Sequence, residues 1–457
     1  MISINPPSGA WRRAQKALLH MSCPVPRPTV VAGAVEATEA HAPHAQGRGP
    51  GVAAGRWMIV VGVGVVAAMN IWKLPLALQR LEAELGFGLV FSGLLLGVIQ
   101  VASMLGGLLV AWGGERFGLR RLLMLGLILL ALGSAGGAVS PNPGLLLGTR
   151  MVEGIGFLLC TVLAPALIRV ICRPADLDRA MGAWGSFQGI AIMLSFSGGI
   201  LALQVLQWRA LWLLMALLAV GMLWPLARWV PAGPVERGID GRGSLRKILL
   251  TIKVLPPWMA GLAFACYTVQ WMAVMGFLPR IYAAYGLEAL PAGLLSALVG
   301  GLNIIGAWIS AAWLQRGRGA TGILLLCFAV MAVSSVGLFA VPWMQLPRGI
   351  VGALACASVF SLIGGIAPAA LSRVAVDLAP PGGAVSAVIG LMQQLFNVGN
   401  FLGPFLLAWI AVQVGGWQAS WVMTCGFCAL GMSATLALHV RTRSVNPSLA
   451  SQVVRHQ

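Results

Sequence analysis

Twelve stretches of this chain run for about 20 residues with hardly a charged side chain, and that feature limits the fold more than any other. They lie near 57–78, 90–112, 122–140, 145–170, 180–203, 209–229, 257–282, 290–313, 321–341, 348–371, 384–412 and 417–439. A helix rises 1.5 Å per residue, so about 20 residues cross a hydrocarbon layer of roughly 30 Å. Inside that layer no water is available to backbone groups, and only helices and closed barrels satisfy them. A barrel would need short alternating segments, which the chain lacks. The reading is an all-α membrane protein with twelve transmembrane helices. Only 9% of the residues are charged, against about a quarter in a soluble domain, and the mean hydropathy is +0.88.

Little chain is left outside the spans. Residues 1–55 are rich in Pro, Ala and Gly with no apolar core and read as a disordered cytoplasmic tail. The stretch 231–254 reads as a polar linker, separating a six-span half at 56–230 from another at 255–440, with a short tail at 441–457. The halves repeat each other. "LAPALIRV" at 163–170 returns as "IAPAALSRV" at 366–374, "MGAWGSFQG" at 181–189 as "VSAVIGLMQQ" at 385–394, and "QWRALWLL" at 207–214 as "GWQASWVM" at 416–423. Across the three matches the offset stays between 203 and 209 residues. Two pseudo-symmetric six-helix bundles built this way typify transporters that hold their site near the midplane. Pro75, Pro165, Pro368 and Pro404 fall where a bend would serve a rocking motion.

The formal charge of +18 raises the question of nucleic acid, and its distribution answers it. Of the 30 Lys and Arg, 24 fall on tails and loops that share one side, Arg80, Arg209, Arg280 and Arg348 lie opposite, and Lys73 and Arg150 lie inside spans. This is the positive-inside bias, which puts both termini in the cytoplasm, and a bacterial inner membrane is the expected location. Nucleic-acid binding is therefore not expected. All five histidines lie in tails or at the last helix end, so a haem or di-metal centre within the spans has no ligands, and no cofactor or metal is expected. Cys425 and Cys428 form a C-x-x-C inside the last span, without a redox context, and read as packing. No phosphate-binding G-x-x-x-x-G-K-[ST] occurs, so any transport draws on a gradient rather than a nucleotide.

The turn between spans two and three reads "AWGGERFGLRR", 111–121. Glu115, Arg116, Arg120 and Arg121 make a compact charged turn, with Gly118 beside them, able either to anchor the chain at the bilayer surface or to hold neighbouring helix ends in one conformation. This loop resembles motif A of the major facilitator superfamily, G-x-L-A-D-R-x-G-R-[RK], with Glu115 in the acidic place and Ala111 and Leu119 departing from the pattern. "RMVEGIG", 150–156, resembles the arginine and glycine motif of that family's fourth helix, and "WLQRGRG", 313–319, is a relic of the loop in the second half. "MNIWKLP", 69–75, and "MGAWGSFQGIAIMLSFSGG", 181–199, resemble the cyanate permease and nitroimidazole transporter branch. The resemblance implies two bundles, a central cavity faced by the first and fourth helices of each half, and no enzymatic activity.

Three ionisable residues lie deep within spans, where each charge costs about 2.5–3.5 kcal/mol or more. Lys73 and Arg150 come out at similar depth, and Glu153 shares a helical face with Arg150 at i,i+3. In one reading Lys73 snorkels outward and Arg150–Glu153 is a structural pair. In the other, Lys73 and Arg150 attract a substrate and Glu153 carries a coupling proton. The second half offers amides instead, with Gln393, Asn397 and Asn400 on one face of span eleven, and Tyr267 and Trp271 one turn apart in span seven. The amides suit either substrate or interhelical bonds, and the aromatic pair suits either a planar substrate or packing. The expected function is secondary transport of a small solute, a small organic anion or polar planar compound, by proton-coupled uptake in a monomer. The alternatives are a proton-coupled exporter of toxic or drug-like compounds and a transport-inactive sensor of the same fold.

Overall fold

In a computed structural model of the chain, the structure describes residues 55–231, 248–380, 383 and 385–445. The N-terminal tail at 1–54, most of the linker at 232–247 and the C-terminal residues 446–457 lie outside the described residues, as does the side chain of Glu115. No strand occurs among the described residues, and twelve helical segments are long and apolar enough to cross a membrane.

The first half begins with α1 (Arg56–Leu85). Helix α2 (Leu89–Gly97) passes through a 3₁₀ turn at Val98–Gln100 into α3 (Val101–Phe117), so span two is a single kinked rod. Next come α4 (Leu119–Ala138) and α5 (Pro143–Ile171). Span five is broken at Ser186 into α6 (Pro174–Gly185) and α7 (Phe187–Val205), and α8 (Trp208–Trp229) closes the half. The second half holds α9 (Leu255–Ala284), α10 (Ala289–Gln315) and α11 (Ala320–Ala340). Span ten is divided at Gly365 into α12 (Gly349–Gly364) and α13 (Ile366–Asp377), followed by α14 (Val385–Val414) and α15 (Ser420–Val445).

Local chemistry sets these ends. Asn142 caps α5, its Oδ1 accepting from the Leu145 amide at 2.8 Å, with Pro143 in the first turn where a missing N–H costs nothing. Gly118 has φ 93° and reverses the chain between α3 and α4 with one residue, a conformation that side chains avoid. Its counterpart in the second half is Gly317, with φ 76°. Helices run unbroken through Pro75, Pro165 and Pro404, whereas Pro368 sits in the first turn of α13. The repeat therefore diverges here: α5 is continuous over "LAPALIRV", and its counterpart breaks. The break follows from backbone packing. A Cβ on Gly365 would lie 2.0 Å from the Asn303 carbonyl oxygen, and one on Gly306 would lie 1.8 Å from that of Leu362. The Asn303 side chain then donates Nδ2 to the Ser361 carbonyl at 3.1 Å.

The halves meet through α1 with α9, α2 and α3 with α14, and α7 with α10. Backbones of the two halves come close toward the end carrying the turns after α1 and α9, at Gly86 and Gly286. There Cβ atoms on Gly93 and Gly97 would fall 2.6 and 2.4 Å from the carbonyl oxygens of Pro404 and Phe401. Side chains from α7 enter similar notches in α10, Ile200 against Gly293 and Ile192 against Gly300. Small residues permit such approach between membrane helices, which gain no hydrophobic drive from lipid. Arg280 of α9 pairs with Glu82 of α1 across the same seam, and Ser92 of α2 donates to that carboxylate. A void of about 30 Å³ lies between α1, α7, α9 and α10, enough for one or two waters. Near the opposite end, marked by Gly118 and Gly317, α6 and α13 pack chiefly within their own halves.

Candidate functional site

Helix α1 is the element around which the polar groups are arranged. Its consecutive residues Trp72 and Lys73 point to different partners, because successive side chains on a helix are about 100° apart. Lys73 turns into the first half, where its ammonium donates to Asn70 Oδ1 at 3.0 Å, Ser134 Oγ at 2.5 Å and Glu153 Oε1 at 2.6 Å. Its three donors are thereby all used. The indole of Trp212, on α8, lies with its ring centroid 4.8 Å from the same nitrogen. Arg150 Nη1 donates to Glu153 Oε2 at 2.5 Å and to the Asn70 carbonyl at 2.6 Å. Ser134 has one proton to give, to Asn70 Oδ1 at 2.7 Å or to Glu153 Oε1 at 2.8 Å. The Asn70 amide is itself oriented by donating Nδ2 to the Val66 carbonyl at 3.0 Å.

Asn70, Lys73, Ser134, Arg150 and Glu153 are fully buried, so the cluster is a closed core of one carboxylate between two cations, net +1. Desolvating each ion costs several kcal/mol, offset here because Glu153 serves both cations. Arg150 keeps Nε and Nη2 without partners. The glycines of "LGSAGG" on α4 make the space. A Cβ on Gly133 would lie 2.6 Å from Glu153 Cγ, and one on Gly137 would lie 2.7 Å from the Trp212 ring. Sequence reasoning brought Arg150 and Glu153 together through their spacing. It did not bring Ser134, inside the small-residue run, or Trp212, inside a repeat match, to this site.

Trp72 faces the other way, toward the second half. Its indole packs edge-to-face on Phe196 at 5.9 Å and on Trp271 of α9 at 5.7 Å and 86°. Its Nε1 donates to Gln188 Oε1 of α7 at 3.2 Å. Trp271 stacks near-parallel with Tyr267 at 6.3 Å and 29°, and both lie against Gly364 of α12. Trp271 Nε1 is buried with no acceptor. On α14, Asn397 donates to the carbonyl of Gln393 one turn back at 2.8 Å, and Gln393 itself is exposed. Gln270 bonds within the second half, to the Cys266 carbonyl and from Cys428 Sγ. Lys73, Arg150 and Glu153 thus form one group and Tyr267 and Trp271 another, with α1 between them and Trp72 reaching the second. Trp72 and Gln188 are the residues that the sequence did not single out, Trp72 being one of 17 tryptophans.

The charged turn is a separate feature. Arg120 Nη1 donates to the Val230 carbonyl at 2.7 Å and the Ala227 carbonyl at 3.2 Å, docking the turn on the C-terminal end of α8, where backbone carbonyls lack helical partners. Arg116 lies with its guanidinium 5.8 Å from the Phe117 ring centroid, and Arg121 is exposed. At the Gly86 end, a surface hollow of about 350 Å³ is lined by Arg80, Glu84, Gln207 and Trp208, all of the first half and away from both groups. Among the described residues no group of three or more His, Cys, Asp or Glu could hold a metal ion.

Comparison with known proteins places this geometry. Residues 60–395 match the description of the Major Facilitator Superfamily. The chain is 28% identical to the 2-nitroimidazole transporter of Escherichia coli K12 over 257 residues, 55% of this chain and 63% of that one. It is 30% identical to the methyl viologen resistance protein SmvA of Salmonella typhimurium over 179 residues, 38% of this chain and 35% of that one. It is 24% identical to the cyanate transport protein CynX of E. coli K12 over 374 residues, 78% and 90% of the two chains. The first two matches thus span less than two thirds of their relatives. A crystal structure of a D-xylose–proton symporter superposes with a TM-score of 0.69 over 84% of this chain and 96% of that one, at 16% identity.

Proposed function

The chain belongs to the Major Facilitator Superfamily, and from that premise we propose that it moves a small solute across the membrane by alternating access, its halves rocking about the seam between α1 and α9. The solute class is a small organic anion or polar planar compound, taken up together with a proton. One observation carries this reading: a fully buried Lys73–Glu153–Arg150 cluster lies on the opposite side of α1 from an aromatic seam. Ionisable residues within spans are costly and mark ion and substrate pathways. Protonation of Glu153 would release both cations at once and loosen α1 from α4 and α5, which is the kind of two-state contact that coupling requires. The relatives named for 2-nitroimidazole and cyanate support a compact planar or anionic solute.

In this reading the Gly86 end faces outward, as the positive-inside bias of the loops requires, and the conformation is closed on that side. The charged turn at Arg116, Gly118, Arg120 and Arg121 lies at the cytoplasmic end and steadies α8 in this state.

A second reading is export, supported by the resistance protein among the relatives. Proteoliposomes decide between them. Uptake of labelled 2-nitroimidazole or cyanate should rise when the interior is made alkaline and should fall to the protein-free level in Arg150→Ala. Export predicts accumulation in inside-out vesicles with an acidic lumen. A chain that moves neither solute in either geometry contradicts both readings.

A further inference from the structure

We infer that Trp271, Gln188 and Trp72 form the recognition slot of the carrier, built for a planar ring that bears a hydrogen-bond acceptor and is neutral or anionic. The inference rests on the transport reading and names its substrate class and contacts.

The slot has one face from each half. Trp271 and Tyr267 stand on α9, braced by Gly364, while Trp72 on α1 and Gln188 on α7 approach from the first half. Tyr267 and Trp271 are 6.3 Å apart, less than the roughly 7 Å that a third ring needs between two faces at contact distances of about 3.5 Å. A solute ring therefore does not enter between them. Trp72 meets Trp271 edge-to-face at 5.7 Å, and a solute ring takes the place of that contact.

Polarity fixes what else the solute carries. Trp271 Nε1 is buried, with 8% of the residue exposed, and has no acceptor. Leaving such a donor unpaired is costly in a buried setting. Gln188 spends Oε1 on Trp72 and has no partner for Nε2 among the described residues. Trp271 Nε1 and, on the residue that holds Trp72, Gln188 Nε2 are thus two unused donors, and a carboxylate, nitro or carbonyl oxygen satisfies them. A cation meets no counter-charge. Of the 12 acidic residues, Glu153 alone lies deep within a span, and both of its oxygens are engaged on the far side of α1.

The test uses the full chain in nanodiscs and labelled benzoate, a planar ring with an acceptor. Cyclohexanecarboxylate, with the same charge and no flat face, and benzylamine, flat but cationic, serve as competitors. Benzoate should bind saturably, cyclohexanecarboxylate should compete at least tenfold less well, and benzylamine should not compete. Trp271→Phe, which keeps a ring and removes the N–H, and Gln188→Leu should each weaken benzoate about tenfold. Trp224→Phe, on an exposed tryptophan, should leave it unchanged. Absence of saturable binding, competition by benzylamine equal to benzoate, or wild-type binding in both Trp271→Phe and Gln188→Leu overturns the slot. Benzoate exchange across proteoliposomes separates the two claims. Exchange that is intact in both variants leaves transport standing and removes the slot. Binding that depends on both residues without exchange keeps the slot and removes transport.

Discussion

Replacing Glu153 by Gln keeps the volume and an acceptor but deletes the charge that Lys73 approaches at 2.6 Å and Arg150 at 2.5 Å. Both cations stay fully buried. Removing one member of a buried pair costs about 3–5 kcal/mol, and the upper end applies here because two cations are orphaned together. Lys73→Met is milder, at about 1–3 kcal/mol, since Glu153 keeps Arg150 and Ser134 and the cluster becomes neutral. The double variant Lys73→Met/Glu153→Gln returns the cluster to a net +1 with a single orphan. It should therefore be more stable than Glu153→Gln alone, with a coupling of about 1–3 kcal/mol. Reversible unfolding of the purified protein in mixed micelles, titrated with a denaturing detergent, gives all four corners of the cycle. A double variant that loses the sum of the single losses, or a Glu153→Gln that unfolds within about 0.5 kcal/mol of wild type, would refute the claim that one carboxylate holds both cations.

Arg280→Ala breaks the ion pair that crosses the seam to Glu82, so in a background without other cysteines Ala292→Cys, beside the small void, should react several-fold faster with an impermeant maleimide. An unchanged rate would show that backbone packing alone seals that end. Gly97→Val adds bulk 2.4 Å from the Phe401 carbonyl and should abolish transport and expose the same cysteine while leaving insertion intact. Normal transport would mean that α2 and α14 do not need to close. Arg150→Ala removes the donor to the Asn70 carbonyl and to Glu153 and should stop transport, whereas Arg316→Ala, at an exposed turn, should cost less than twofold. Equal losses in proteoliposome uptake would deny Arg150 a special part.

The spans were legible in the sequence because hydropathy reports on the surrounding lipid directly. Ends are set by residues with local meaning, such as the cap Asn142 and the positive-φ Gly118, which the structure rather than the sequence reading identified. Breaks inside spans could not be read either. The interruption at Gly365 arises from the carbonyl of Asn303 in another helix, and no local pattern announces a contact some 60 residues away. Among the polar groups, Arg150 and Glu153 were paired by their spacing, but the 80-residue separation of Lys73 from Glu153 hid that contact. Lys73 could be recognised as buried and costly without showing which way it turned. Trp72 was hidden for another reason: an apolar aromatic on a membrane helix has no periodicity that distinguishes lipid, bundle core and seam.

Trp72 and Lys73 share a peptide bond. The indole touches α7 and α9, while the ammonium is held by acceptors on α4 and α5 as well as on its own helix. Under the proposed function, a cargo that pushes the indole aside would exert a torque about the axis of α1, and the neighbouring ammonium would swing against oxygens that do not turn with it. No relay of contacts across the bundle is then required to link load to ionisation, because a single backbone unit spans the gap.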